Sequence, residues 1–111
     1  TACDEFKVVV ENKTSSNKVK LKKPGQTMFS KVPKDDNKKF KVLKSSADQW
    51  TIKNKTGNTL RYKIRTRNCS LDDLIDDTGW IDLLNNKEVQ GSAATYSGPN
   101  SGKVRYIFKD Q

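Results

Sequence analysis

Between Trp50 and Cys69 the chain reads WTIKNKTGNTLRYKIRTRNC, and its apolar and polar residues alternate on either side of a short polar break. Trp50 and Ile52 alternate with Thr51 and Lys53. Beyond Asn54-Lys55-Thr56-Gly57-Asn58, the residues Leu60, Tyr62, Ile64 and Thr66 alternate with Arg61, Lys63, Arg65 and Arg67. A period of two sends successive side chains to opposite faces of a sheet. The pattern predicts a β-hairpin whose turn uses Gly57 or Asn58 for a positive φ. Trp50, Ile52, Leu60, Tyr62 and Ile64 would then face a core, and the other face of the second strand would carry a row of four cations.

The rest of the chain repeats this signal in shorter pieces. Alternation predicts a strand over residues 4–11 (Phe6, Val8 and Val10 on one face) and another over Lys18–Lys22, ended by Pro24-Gly25. Further strands are expected at Phe40–Leu43, at Trp80–Leu84 with Trp80 turned to the core, and at Lys103–Lys109, while residues 26–38 are irregular, with Met28, Phe29 and Val32 as anchors. Ser70 and the Leu71, Leu74, Ile75 spacing, with acids in the first turn, predict a short helix over 70–76 that crosses between strands. Residues 91–102 read as a long loop or a weak edge strand. With 32% hydrophobic and 32% charged residues among 111, the core must be thin, and a single domain over 1–111 is expected. Disorder is the competing reading for so polar a chain, but its aromatics fall mostly inside the alternating runs. The expected fold is an all-β, Ig-like antiparallel β-sandwich of about seven or eight short strands with that one crossover helix.

Charge is unevenly spread. Residues 1–69 hold 18 Lys/Arg against 6 Asp/Glu, and residues 70–111 hold 4 against 7. Such a field favours anionic partners, although a lysine-rich surface also serves solubility alone. Arg61, Lys63, Arg65 and Arg67 share one strand face at a spacing of roughly 6.5–7 Å, close to the charge repeat of an extended polyanion. Lys18, Lys20 and Lys22 form a second row, which would merge with the first if the two strands were neighbours. These seven residues are the candidate ligand-binding set. Stacking aromatics, which single-stranded nucleic acid usually wants, look core-facing, apart from Tyr96 in a loop. An acidic glycan or acidic protein surface is therefore expected ahead of nucleic acid.

The chain has no histidine, so the usual neutral-pH base and the commonest zinc ligand are missing. No phosphate-cradling glycine motif occurs. Asp72, Asp73, Asp76, Asp77 and Asp82 cluster, but their spacing does not follow the calcium loop. The plainer reading is helix-start acids and a solvated loop. No catalytic residue, metal ligand set or cofactor is implied. Cys3 and Cys69 fall at the ends of two expected strands, and a bridge enclosing about 67 residues would stabilise the fold by roughly 4 kcal/mol. That disulfide implies an oxidising compartment, hence a mature chain that is secreted, periplasmic or at the cell surface. No apolar run of membrane-spanning length is present. Asn12, Asn54 and Asn68 begin Asn-x-Ser/Thr sequons in or beside expected turns, where glycans are tolerated.

The segment Tyr96–Phe108 (YSGPNSGKVRYIF) is similar to the last strand of bacterial fimbrial subunits, in which a tyrosine and a glycine precede an alternating strand. That resemblance implies an incomplete Ig-like sandwich completed by a neighbour's extension, although no alternating extension precedes the first strand here. In size and early cysteine the chain also looks similar to one-disulfide β-sandwich effectors secreted by plant-pathogenic fungi. Both are likenesses of pattern, and no family follows from them. The function expected is a non-enzymatic, adhesin- or effector-like module that recognises an anionic surface through a basic sheet face. The alternatives are a structural, pilin-like fibre subunit and a nucleic-acid-binding domain.

Overall fold

The computed structural model describes residues 6–34, 37–42, 49–68, 73–92 and 102–111. They form β1 (Phe6–Lys13), β2 (Val19–Lys22), β3 (Ser30–Val32), β4 (Asn37–Val42), β5 (Gln49–Asn54), β6 (Leu60–Asn68), β7 (Asp73–Asp77), β8 (Ile81–Leu83), β9 (Glu88–Ser92) and β10 (Gly102–Asp110). One sheet runs β4-β1-β10-β6-β7, with β8 also paired to β6. The other runs β3-β2-β5-β9 and is antiparallel throughout. The all-β expectation holds, but the larger sheet is mixed, because β10 lies parallel to β1 and antiparallel to β6.

Alternation sets what each strand buries. Val8 and Val10 of β1, Val19 and Leu21 of β2, Trp50 and Ile52 of β5, and Val104, Tyr106 and Phe108 of β10 meet in one core shared by both sheets. The Trp50 and Tyr106 rings meet edge to face with centroids 5.6 Å apart, an arrangement aromatic pairs favour. Gly91 stands opposite Trp50 on β9. A Cβ there would collide with the Tyr106 hydroxyl and come within 2.7 Å of Trp50 Nε1, so this contact admits only glycine. Tyr62 and Ile64 are half-buried against the core.

The expected hairpin is absent: β5 belongs to the four-stranded sheet and β6 to the six-stranded one. The break between them is an arch that carries the chain across the core. Both strands still turn their apolar parity inward, which is why the alternation alone could not tell an arch from a hairpin. Asn54 follows Trp50 and Ile52 on that inward parity and is fully buried. Its Nδ2 donates to the carbonyls of Asn58 (2.7 Å) and Leu83 (2.9 Å), and its Oδ1 accepts from the Thr56 amide (2.9 Å). Gly57 takes the expected positive φ, 88°, and its amide donates to Asn85 Oδ1.

The same device joins β1 to β2. Asn12 follows Val8 and Val10 inward and is fully buried. Its Nδ2 donates to the carbonyls of Ser16 (3.4 Å) and Val32 (2.6 Å), while its Oδ1 accepts from the Thr14 amide (3.1 Å). The Thr14 and Thr56 hydroxyls donate to Ser16 and Asn58. The Ser15 amide, the counterpart of Gly57, donates to Asp110 Oδ2. The chain therefore contains an internal structural repeat whose trace in the sequence is five positions, Asn-Lys-Thr and the two inward apolar residues before it. In it β1 corresponds to β5, β2 to β6, β3 to β8 and β4 to β9, with β1 paired to β4 as β5 is to β9. Two strands are additions: β10, inserted between β1 and β6, and β7, paired to the other side of β6. A glycan on Asn12 or Asn54 is incompatible with this fold, since each amide nitrogen is buried and used. The side chain of Asn68 lies outside the described residues.

The crossover helix is also absent, and no helix occurs among the described residues. Residues 73–77 form β7, paired with β6 as Arg65↔Asp77, Thr66↔Asp76, Arg67↔Leu74 and Asn68↔Asp73, with a bulge between Thr66 and Arg67. One to two turns of helix are marginal in isolation. Pairing gives Asp73, Leu74, Asp76 and Asp77 partners on β6 and sets Asp77 Oδ2 3.3 Å from Arg65 Nε. Trp80, expected in the core, is 38% exposed, and Met28, expected as an anchor, is exposed as well. Cys3 and Cys69, and therefore their expected disulfide, lie outside the described residues, as does Tyr96.

Candidate anion-binding face

On β6 the inward residues Leu60 and Thr66 are buried, which turns Arg61, Lys63, Arg65 and Arg67 to the outer face of the six-stranded sheet. The expected row exists. Strand order then adds neighbours that one strand cannot show. Arg65 stands opposite Arg105 of β10, and Arg67 opposite Lys103. Lys103 in turn pairs with Lys7 of β1, and Lys7 with Lys41 of β4. Lys41, Lys7, Lys103 and Arg67 thus lie in register across four adjacent strands, spanning roughly 14 Å at the usual strand spacing. A second rung runs Val9, Arg105, Arg65, Asp77.

Between these rungs lies a depression of about 310 Å³ lined by Val9, Arg65, Arg67, Lys103 and Arg105. Val9 points outward by parity yet is buried, at 5% exposure, so it supplies an apolar floor beneath the cationic stems. Among the described residues, two carboxylates stand at the flanks. Asp77 meets Arg65 at Nε, and Glu11 lies 3.6 Å from Arg105 Nε. Further along the face, Arg61 Nε lies 3.9 Å from Asp82. The turn after β7 is tied to β6 by Thr78, whose amide donates to the Ile64 carbonyl and whose hydroxyl accepts from the Ile64 amide. This lays the Trp80 ring over the cations, 4.5 Å from Lys63 Nζ and 4.1 Å from Lys109 Nζ.

The second expected row is elsewhere. Lys18 precedes β2, and Lys20 and Lys22 lie on it, in the four-stranded sheet, so the two rows do not merge. Lys20 stands between Lys31 and Lys53; Lys53 pairs with Glu88 at 3.8 Å, and Lys22 lies over the Phe29 ring at 5.2 Å. These lysines form a separate basic strip on the opposite side of the core. Of the acidic cluster, Asp77 and Asp82 serve as partners of Arg65 and Arg61. Among the described residues no three acidic or sulfur side chains converge as metal ligands.

Sequence reasoning missed Lys7, Lys103, Arg105, Lys109 and Trp80 as members of the face. The parity of KVRYIFK, with Val104, Tyr106 and Phe108 inward, already sent Lys103 and Arg105 outward. The adjacency of β10 to β6 is a long-range pairing that this local pattern does not encode. No protein-family model, curated protein sequence or solved structure matches this chain.

Proposed function

We propose that this protein is a non-catalytic binding module, secreted or displayed at a surface, that recognises an anionic partner through the outer face of its six-stranded sheet. The observation that carries the reading is the convergence of Arg65, Arg67, Lys103 and Arg105 on one depression, from two strands, in register. Like charges directly opposite one another weaken a sheet. A face built from such pairs is therefore stabilised by an anion laid across it. An acidic glycan or an acidic protein surface suits the reading, because both present repeated charge to a broad face. The two-layer core supports an Ig-like sandwich in the sense of two alternating sheets, and the central parallel β1–β10 pair sets it apart from the wholly antiparallel form.

The test is binding to a sulfated glycan as salt is varied. Replacing Arg61, Lys63, Arg65 and Arg67 by Ser leaves the fold intact and weakens binding by about tenfold or more, with a flatter salt dependence. Replacing Lys20, Lys22, Lys31 and Lys53 removes equal charge from the other sheet and has a smaller effect. Equal losses from both sets would reduce the site to a diffuse field. One observation favours a second reading: Trp80 is an exposed aromatic on the same face, as single-stranded nucleic acid requires for stacking. Tighter binding to a single-stranded oligonucleotide than to the glycan, lost on Trp80→Ala, would select it.

A further inference from the structure

The chain uses lysine far more than arginine, 18 against 4, yet three of its four arginines line one depression. If positive charge alone were needed there, lysine would serve as it does on the opposite sheet, where Lys20, Lys31 and Lys53 stand in register. Arginine differs in presenting a planar fork that matches two oxygens of one oxyanion, and in being less strongly hydrated. Its concentration at Arg65, Arg67 and Arg105 is a choice of geometry over charge. The remaining wall is Lys103, and the floor is the apolar Val9.

We infer that this depression is a discrete site for a diphosphate group, free or as an ester, an inference that rests on the anion-binding reading above and narrows its ligand. Three features set the class. The volume of about 310 Å³ equals roughly ten waters at their liquid volume, so one phosphate leaves it partly filled and two linked phosphates suit it better. The cations come as two rungs, Arg65–Arg105 and Arg67–Lys103, one for each phosphate. The carboxylates that flank the site lie nearest Arg65 and Arg105 at Nε, 3.3 and 3.6 Å away, on the stem side of each guanidinium. Bidentate arginine contacts to phosphate are among the stronger charge-assisted hydrogen bonds. A site of this form discriminates by fork geometry and not by charge density alone.

Titration calorimetry of the full chain with inorganic pyrophosphate at near-physiological salt tests this, with a sulfated disaccharide as the second arm and a long sulfated glycan as the third. The expected result is saturable pyrophosphate binding at one per chain, tighter than the disaccharide. The double variant Arg65→Lys with Arg105→Lys keeps every charge and loses the forks, and it should weaken pyrophosphate at least tenfold. Lys20→Gln with Lys31→Gln should leave it unchanged. Should the double variant unfold, Arg67→Lys alone serves, with a loss of several-fold expected. Pyrophosphate affinity unchanged by the lysine variants would overturn the inference, as would a preference for the sulfated disaccharide. Glycan binding without saturable pyrophosphate binding would also overturn it while leaving the anion-binding reading in place. Binding of none of the three probes would remove both.

Discussion

Two asparagines govern how the chain crosses its own core. Asn12 and Asn54 each occupy the inward position that follows two apolar residues, and each satisfies two carbonyls and an amide that the arch would otherwise bury unpaired. Buried polar groups left without partners cost about 1–3 kcal/mol each. Asn54→Ala strips partners from the Asn58 and Leu83 carbonyls and the Thr56 amide together, and should destabilise by about 2–4 kcal/mol in denaturant unfolding. Asn54→Asp should cost more, since it also buries a charge. A loss below about 1 kcal/mol for Asn54→Ala would mean that the network is solvated and the arch is held by packing alone. The inward parity of both residues was legible in the sequence. Their role was not, because an Asn-x-Thr triplet reads equally as a turn or a sequon until its burial is known.

At the scale of the strands, parity was legible and adjacency was not. The outward row on β6 and the inward faces of β1, β2, β5 and β10 follow from alternation. Which strands lie side by side depends on long-range pairing that no local pattern encodes, so one alternation pattern fits both an arch and a hairpin, and leaves open whether the two basic rows are neighbours. The helix expected at 70–76 failed for a related reason: its short apolar spacing was outweighed by an open edge of β6. Adjacency has an energetic consequence at the rung of Lys41, Lys7, Lys103 and Arg67. Lys7 stands between two lysines in register, and like-charged cross-strand pairs cost roughly 0.2–1 kcal/mol. Lys7→Gln should therefore stabilise the ligand-free protein by a few tenths to about 1 kcal/mol, with the gain shrinking as salt rises. Thermal unfolding at low and high salt checks this. A destabilised variant at low salt would show that the rung is not under repulsive strain.

The described strands form a four-strand arrangement used twice, with β10 set between the copies in the larger sheet and β7 added along β6. That insertion brings Lys103 and Arg105 beside Arg65 and Arg67, and so creates the candidate site from residues far apart in sequence. It also separates the basic charge into two faces: the arginine-bearing face of β1, β10 and β6, and the lysine strip of β2, β3 and β5. An all-β fold of two sheets was legible from the spacing of short alternating runs. The duplication was not, because outside the two Asn-Lys-Thr arches the repeats share little but alternation. The central claim is that the first face, and not the second, meets the anionic partner. Backbone amide shifts recorded by NMR during titration with a sulfated glycan test it most directly. The shifts should concentrate at Lys7, Val9, Arg65, Arg67, Lys103 and Arg105, with little change at Lys18, Lys20, Lys22, Lys31 and Lys53. Shifts centred on the second set, or divided evenly between the two, would contradict it.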